Sequence, residues 1–285
     1  MKANEPLDDL TINDLTINDL KKRANKIRKD IIEMIYSAKS GHPGGSLSSA
    51  DIVASLYFHI MNHDPKNPSW PGRDRFILSK GHACPSLYAA LAESGYFDVG
   101  ELKNLRKPEC LLQGHPCTKT PGIEISTGSL GQGLSIATGI ALGLRLDGSD
   151  SRVFALLGDG ELQSGQVWEA MMAAPNFKLG NLTAIIDRNM LQIDGPTEKV
   201  MALEPLKDKL KAFNWQVYEI DGHNIREIIE TINEGLKITD KPKVIIAHTV
   251  KGKGVSFMEN NVSFHGKSPT DEEFKIAMRD LEVIS

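Results

Sequence analysis

The sequence predicts an α/β fold, a parallel sheet sandwiched by helices, and three observations carry that expectation. Val153 to Leu157, Leu182 to Ile186, Trp215 to Ile220 and Val244 to Ala247 read as nearly continuous apolar runs rather than as alternating ones, the pattern of strands covered on both faces. Stretches with helical spacing separate them, at Gly165 to Phe177, Leu206 to Phe213 and Ile225 to Ile238. Polar residues then gather just past the strands, with Asp159, Asn189 and Lys251 all at predicted carboxyl ends, where open α/β sheets bind their ligands.

The pentapeptide Thr11-Ile12-Asn13-Asp14-Leu15 recurs at Thr16 to Leu20, a local duplication expected to cap the first helix. Residues 1–19 are read as an N-terminal extension and 20–285 as one domain. From Leu20 to about Lys39, Ile27, Ile31, Ile32 and Ile35 follow helical spacing, and Gly41-His42-Pro43-Gly44-Gly45 is expected to stop that helix. A second helix is predicted from Ser48 to Asn62, a short buried strand over Arg75 to Ser79, and a turn at Gly81-His82 leading into a helix through Ala92. Residues 95–127 lack periodicity, and long irregular loops in compact domains are disproportionately functional. A glycine-bearing helix is expected over Ser129 to Leu146, and a last one near Asp271 to Leu281.

Lys and Arg total 33 against 37 Asp and Glu, and no basic run could track a nucleic-acid backbone, so no nucleic-acid partner is expected. Met1 to Leu20 lacks the apolar core of a signal peptide, and no stretch approaches eighteen uninterrupted apolar residues. The expectation is a soluble, cytoplasmic protein with no membrane partner. Cys84, Cys110 and Cys117 make an odd count without the spacing of a zinc site, and are read as free thiols. His59 and His63 lack the Glu of a His-Glu-x-x-His motif, since Ile60 stands there. Gly266-Lys267-Ser268 mimics the end of a phosphate-binding loop, but the required upstream glycine is Asn261.

Chemistry concentrates between Gly158 and Gly195. Gly158-Asp159-Gly160 follows a strand and opens a helical stretch, so its backbone can approach a phosphate closely. Asn189 ends the next strand within Asp187-Arg188-Asn189-Met190-Leu191-Gln192-Ile193-Asp194-Gly195. Two hard oxygen donors at neighbouring strand ends suit Mg²⁺, which takes one or two protein oxygens and leaves its other positions to phosphate oxygens and water. The pair reads as a clamp for a metal diphosphate.

This paired motif resembles the thiamine diphosphate signature, and the chain resembles the N-terminal, diphosphate-binding part of transketolase along nearly its whole length. Ser40-Gly41-His42-Pro43-Gly44, the Arg73 to Ala83 segment, Gly114-His115-Pro116, the Thr127 to Gly133 segment, Lys251-Gly252-Lys253-Gly254 and His265-Gly266 carry the resemblance in order. It implies a thiamine diphosphate-binding fold in which Asp159, Asn189 and the Leu191 carbonyl hold Mg²⁺, with Ca²⁺ or Mn²⁺ able to substitute. It further implies that Gly160 admits the diphosphate with Glu161 beside it, that Gly128 and Leu130 line the ring region, that Ile193 packs on the cofactor, and that Lys251 faces its phosphates. His42, His82, His115 and His265 then surround the reacting carbon, where neutral imidazoles can both donate and accept protons. Two positions depart from the family: Ser164 lies where many members carry Glu, and Ser129 stands where Pro is common.

In this family a glutamate from a separate pyrimidine-binding domain activates the cofactor ring, and no counterpart of that domain is found before Ser285. The resemblance therefore implies the N-terminal subunit of a split transketolase, in an α₂β₂ assembly with a separate C-terminal subunit. The implied reaction is transfer of a two-carbon ketol unit from a ketose phosphate to an aldose phosphate, as in the pentose phosphate pathway. Two alternatives stand beside it: the α subunit of a 2-oxo-acid dehydrogenase, and a non-catalytic cofactor-binding regulatory protein.

Overall fold

In the computed structural model, which describes residues 12–283, the apolar runs assemble into a five-stranded sheet. The strands are β1 (Arg75–Leu78), β2 (Val153–Gly158), β3 (Leu182–Arg188), β6 (Gln216–Asp221) and β7 (Lys243–His248); β4 (Leu191–Gln192) and β5 (Gly195–Pro196) form a separate small hairpin. The order is β1-β2-β3-β7-β6 and every pair is parallel, with Gly158 level with Asp187 and Arg188 level with His248. That register brings the carboxyl ends of β2, β3 and β7 to one edge, which is where the polar motif residues emerge.

Successive side chains leave opposite faces of a strand, and the two faces feed two cores. Phe154, Leu156, Ile185 and Ile245 enter one core, while Val153, Ala155, Ala184, Ile186 and Val244 enter the other. The first is covered by α1 (Asp14–Ala38), α2 (Pro43–Ser48), α3 (Ala50–Ser55) and α4 (Cys84–Ser94); the second by α5 (Gln132–Leu146) and α6 (Gly165–Asn176). A single-turn α7 (Thr197–Val200) follows the hairpin, α8 (Leu206–Ala212) joins the second layer, and α9 (Ile225–Leu236) and α10 (Asp271–Val283) join the first. Ile27, Ile31, Ile32 and Ile35 of α1 are fully buried, each contributing about 1.5–3 kcal/mol by leaving water.

Several boundaries differ from expectation. The first helix begins at Asp14 rather than Leu20, because Asn13 Oδ1 accepts the Thr16 amide at 2.8 Å and supplies an N-cap; residues 1–11 of the expected extension, with Thr11 of the repeat, lie outside the described residues. α1 does stop at Ala38, but the glycine-rich run after it is not simply a break. Pro43 occupies the first turn of a new helix, where its missing N–H costs nothing. The single helix expected over 48–62 is α2, α3 and a π-helical turn at Leu56–Ile60. Gly131, with φ +86°, delays α5 to Gln132. The loop over 95–127 is irregular apart from a 3₁₀ segment at Val99–Asn104. Among the described residues no helix is long and apolar enough to cross a membrane.

Candidate active site

A cavity of about 320 Å³ opens at the carboxyl edge of the sheet. Of the residues singled out in the sequence, His42, His82, Gly128, Leu130, Asp159, Gly160, Glu161, Asn189, Leu191, Ile193, Lys251 and His265 all line it. His115 does not. It is exposed, yet its ring lies against Gly128, where a Cβ would meet it at 3.1 Å. Gly128 has φ +152°, so both its conformation and the contact favour glycine.

Asp159 is buried at the end of β2. Its Oδ1 accepts the Gly160 amide at 2.8 Å, and its Oδ2 accepts the Met190 amide at 2.6 Å and faces Arg188 at 3.3 Å. Burial, and the like charge of Asp187, push its pKa up to about 6 against the opposing Arg188 and backbone donors. A carboxylate so desolvated gains from a cation. Asn189 is turned by its neighbours: its Oδ1 accepts the Leu191 amide at 3.2 Å and its Nδ2 donates to Asp187 O at 3.4 Å. The Leu191 carbonyl accepts from the Lys251 ammonium at 3.1 Å, so a positive charge already lies beside this oxygen. Burial lowers Lys251 to about 8 although Asp187 and Asp159 oppose it. One carboxylate, one amide and one carbonyl fit a hard divalent cation; no cluster of three or more His, Cys, Asp or Glu suited to a metal occurs among the described residues, and this donor set does not need one.

Glu161 braces the cavity as well as lining it. Its carboxylate accepts from Ser79 Oγ, from the Gly131 amide at 2.9 Å and from the Gly158 amide at 3.1 Å, joining three walls of the cavity. Burial raises its pKa despite these donors.

Three histidines form a cluster. The His42 and His82 ring centroids are 5.3 Å apart, His42 and His265 5.6 Å, and His82 and His265 5.2 Å. Burial is the main cause that lowers all three, taking His42 and His265 to about 4 and His82 well below its ordinary value, with nearby positive groups, Lys251 among them, adding to each. They are neutral near pH 7, so each ring can donate at one nitrogen and accept at the other. Nδ1 of His42 and of His265 is buried with no hydrogen-bond partner among the described residues. Such atoms await a polar ligand.

Sequence reasoning assigned no role to Lys80, Asp187 or Arg106. Lys80 Nζ bonds Asp187 and donates to Gly45 O at 2.7 Å, while Asp187 also accepts from Ser48 Oγ at 2.6 Å and from Thr249. This buried pair ties together the ends of β1, β3 and β7. A lone carboxylate closing an otherwise apolar strand was the available signal. Arg106, from the irregular loop, donates to Ser40 Oγ at 2.8 Å and lowers both His42 and His115.

A parallel sheet that gathers a carboxylate, an amide, an ammonium and neutral imidazoles in one cavity at its carboxyl edge defines an α/β protein with a polar ligand-sized site. Residues 20–282 match the family model described as transketolase, thiamine diphosphate binding domain, and the chain belongs to that family. It is 46% identical over 261 residues to the 6-deoxy-6-sulfo-D-fructose transketolase subunit SqwG of Clostridium sp. (strain MSTE9), covering 91% of this chain and 95% of that one. It is 43% identical to an apulose-4-phosphate transketolase subunit of Phocaeicola vulgatus, covering 91% of this chain and 92% of that one. The crystal structure of transketolase from Campylobacter jejuni superposes with a TM-score of 0.88 at 37% identity, over 95% of this chain and 43% of that one. The chain thus spans less than half the length of that structure, and the α/β fold is that of its matching part.

Proposed function

We propose that the chain is the cofactor-binding N-terminal subunit of a two-subunit transketolase. The observation that carries this reading is the convergence of Asp159, Asn189 and the Leu191 carbonyl with His42, His82 and His265 in one cavity. Asp159, Asn189 and the Leu191 carbonyl hold Mg²⁺, and Gly160, where a Cβ would meet Gln192 at 3.1 Å, leaves the backbone bare for a diphosphate. When bound, thiamine diphosphate would supply the carbon nucleophile that ketol transfer requires. Gly128, Leu130 and Ile193 bound the ring region, and Lys251 offsets phosphate charge. His42, His82 and His265 hold and move protons at the sugar hydroxyls, and His115 joins them from the loop behind Gly128.

The partner is a C-terminal subunit that brings the pyrimidine-side domain and its glutamate, in an α₂β₂ assembly located in the cytoplasm; residues 20–285 form the cofactor domain. Two relatives that match over 90% or more of both chains are themselves named as transketolase subunits, which supports this division of labour. The substrates are sugar phosphates or close anionic analogues, pentose phosphates being the first to test. The experiment combines the chain, its C-terminal partner, Mg²⁺ and thiamine diphosphate with a ketose and an aldose phosphate. Ketol transfer by the mixture and by neither chain alone supports the reading, whereas full activity of this chain by itself, or decarboxylation of a 2-oxo acid by the mixture, overturns it.

A further inference from the structure

The loop that carries Lys251 is held from behind by a residue outside the cavity. After β7 the chain runs Thr249-Val250-Lys251-Gly252. Gly252 N donates to Gly44 O at 3.0 Å on the far side of Lys251, and Val250 N donates at 2.8 Å to Nε2 of His223 on the near side. A backbone N–H can only donate, so Nε2 of His223 must accept, and the proton of the neutral ring sits on Nδ1. Nδ1 lies 2.7 Å from Asp51 Oδ2. Asp51 of α3 is in turn paired with Arg28 of α1, both side chains buried. A carboxylate fixed by a guanidinium therefore selects the imidazole tautomer that the loop amide requires, as carboxylates do for metal-bound histidines.

His223 reaches this place through its turn. Gly222 N donates to His248 O at 2.7 Å, which locks the end of β6 to the end of β7, and His223 N donates to Asp221 Oδ1 at 2.9 Å before α9 begins. The relay thus joins α1, α3, the β6 turn and the loop after β7.

We propose that His223, oriented by Asp51 and Arg28, is a positioning residue that fixes the Val250 backbone and so holds the Lys251 ammonium at the cavity. This rests on the reading of Lys251 as a group facing the cofactor phosphates. His223 touches neither cofactor nor substrate and acts through Lys251. The geometry makes a specific demand: removing His223 costs cofactor affinity only while Lys251 is there to be misplaced.

The test is a double-mutant cycle on the assembled complex, with Mg²⁺ and thiamine diphosphate binding measured by titration calorimetry. His223→Phe keeps a ring and removes both nitrogens, and is expected to weaken binding about 10-fold to 100-fold, the range for partners that orient a binding group. In the Lys251→Ala background the same change is expected to make less than about a twofold difference, because coupled residues are not additive. Equal losses in both backgrounds, or undiminished affinity of His223→Phe alone, overturn the proposal. Failure of the unmodified complex to bind thiamine diphosphate instead overturns the proposed function. The positioning itself is read without any ligand, by ¹⁵N NMR of the full chain. A neutral Nδ1–H ring with a slowly exchanging Val250 amide supports it, and an Nε2–H tautomer overturns it whether or not His223→Phe folds.

Discussion

Replacing Lys80 by Met removes one half of an ion pair whose two side chains are 2% and 0% exposed. Met keeps most of the aliphatic stem, so the change isolates the charge. Asp187 then retains Ser48 and Thr249 as donors but loses the cation bonded to it, while Gly45 O loses the ammonium and keeps the Ser48 and Ser49 hydroxyls. Breaking a buried pair from one side costs about 3–5 kcal/mol, because the remaining charge is left in a poorly solvating interior. For a chain of this size that lowers the melting temperature by roughly 10 °C. Urea and thermal unfolding of the full chain at pH 7 measure it. In the double variant Lys80→Met/Asp187→Asn the stranded charge is gone, and at least half of the loss is expected to return. A single-variant cost below about 1 kcal/mol, or a double variant no more stable than Lys80→Met, refutes the reasoning. The pH profile supplies the sign. Lys80, with the hydroxyls, holds Asp187 below its ordinary 3.8 although burial opposes them, so its stabilising contribution is fully present above about pH 3.8 and is lost as pH falls through the lower folded-state value.

Asp159→Ala is expected to abolish Mg²⁺-dependent binding of thiamine diphosphate, with at least about a 100-fold loss of affinity in calorimetry; unchanged affinity rules out the clamp. Gly133→Ala places a Cβ 2.7 Å from Ser79 Cα and 2.5 Å from its Cβ, an overpacking that costs about 2 kcal/mol and lowers the urea midpoint without reaching any ligand. His42 and His265 are depressed from 6.5 to about 4. Stability is therefore expected to be intact above pH 6.5 and to decline between pH 6.5 and 4, as unfolding releases rings that take up protons; His42→Asn combined with His265→Asn makes that limb shallower and leaves the part due to His82, which burial also depresses. Arg106→Gln raises the pKa of both His42 and His115, observable by NMR titration, since the guanidinium lowers each of them.

β1, β2, β3 and β7 were legible because each is buried on both faces, so an apolar run is all that the local sequence must supply, whereas β6, at the sheet edge, is only partly buried and its run is broken by Glu219. Their order was not. Nothing local to β7 says that it lies between β3 and β6, since that depends on the pairing of Asp187 with Ala247 and of Ile220 with Ala247 across long separations. Asp159 and Asn189 stood out because a polar residue just past a strand end is where an α/β sheet binds ligand. Asp187 carried only the weak mark of a carboxylate closing an apolar strand, and Lys80 carried none, because a charged residue beside an apolar run looks the same in sequence whether water or a buried counter-ion satisfies it. His115 was legible in type but not in place, because the irregular loop that carries it has no periodicity from which a direction could be derived.

The run Gly41 to Gly45 shows how a misread element can locate a site. Glycine is a poor helix former, and two of them after a proline read as a breaker. Yet Gly44 and Gly45 lie inside α2, which costs about 1 kcal/mol per glycine against alanine. A Cβ on Gly44 would meet Phe264 O at 3.0 Å and the Lys251 stem at 3.1 Å, and one on Gly45 would meet the His82 ring at 3.5 Å. The segments that carry Lys251 and His265 therefore crowd Gly44 in the first turn of α2, while the His82 ring lies at ordinary contact distance from Gly45. Helix propensity yields here to that approach. A local rule broken without a compensating local gain points to a constraint from elsewhere in the fold, and in this chain the elsewhere is the cavity.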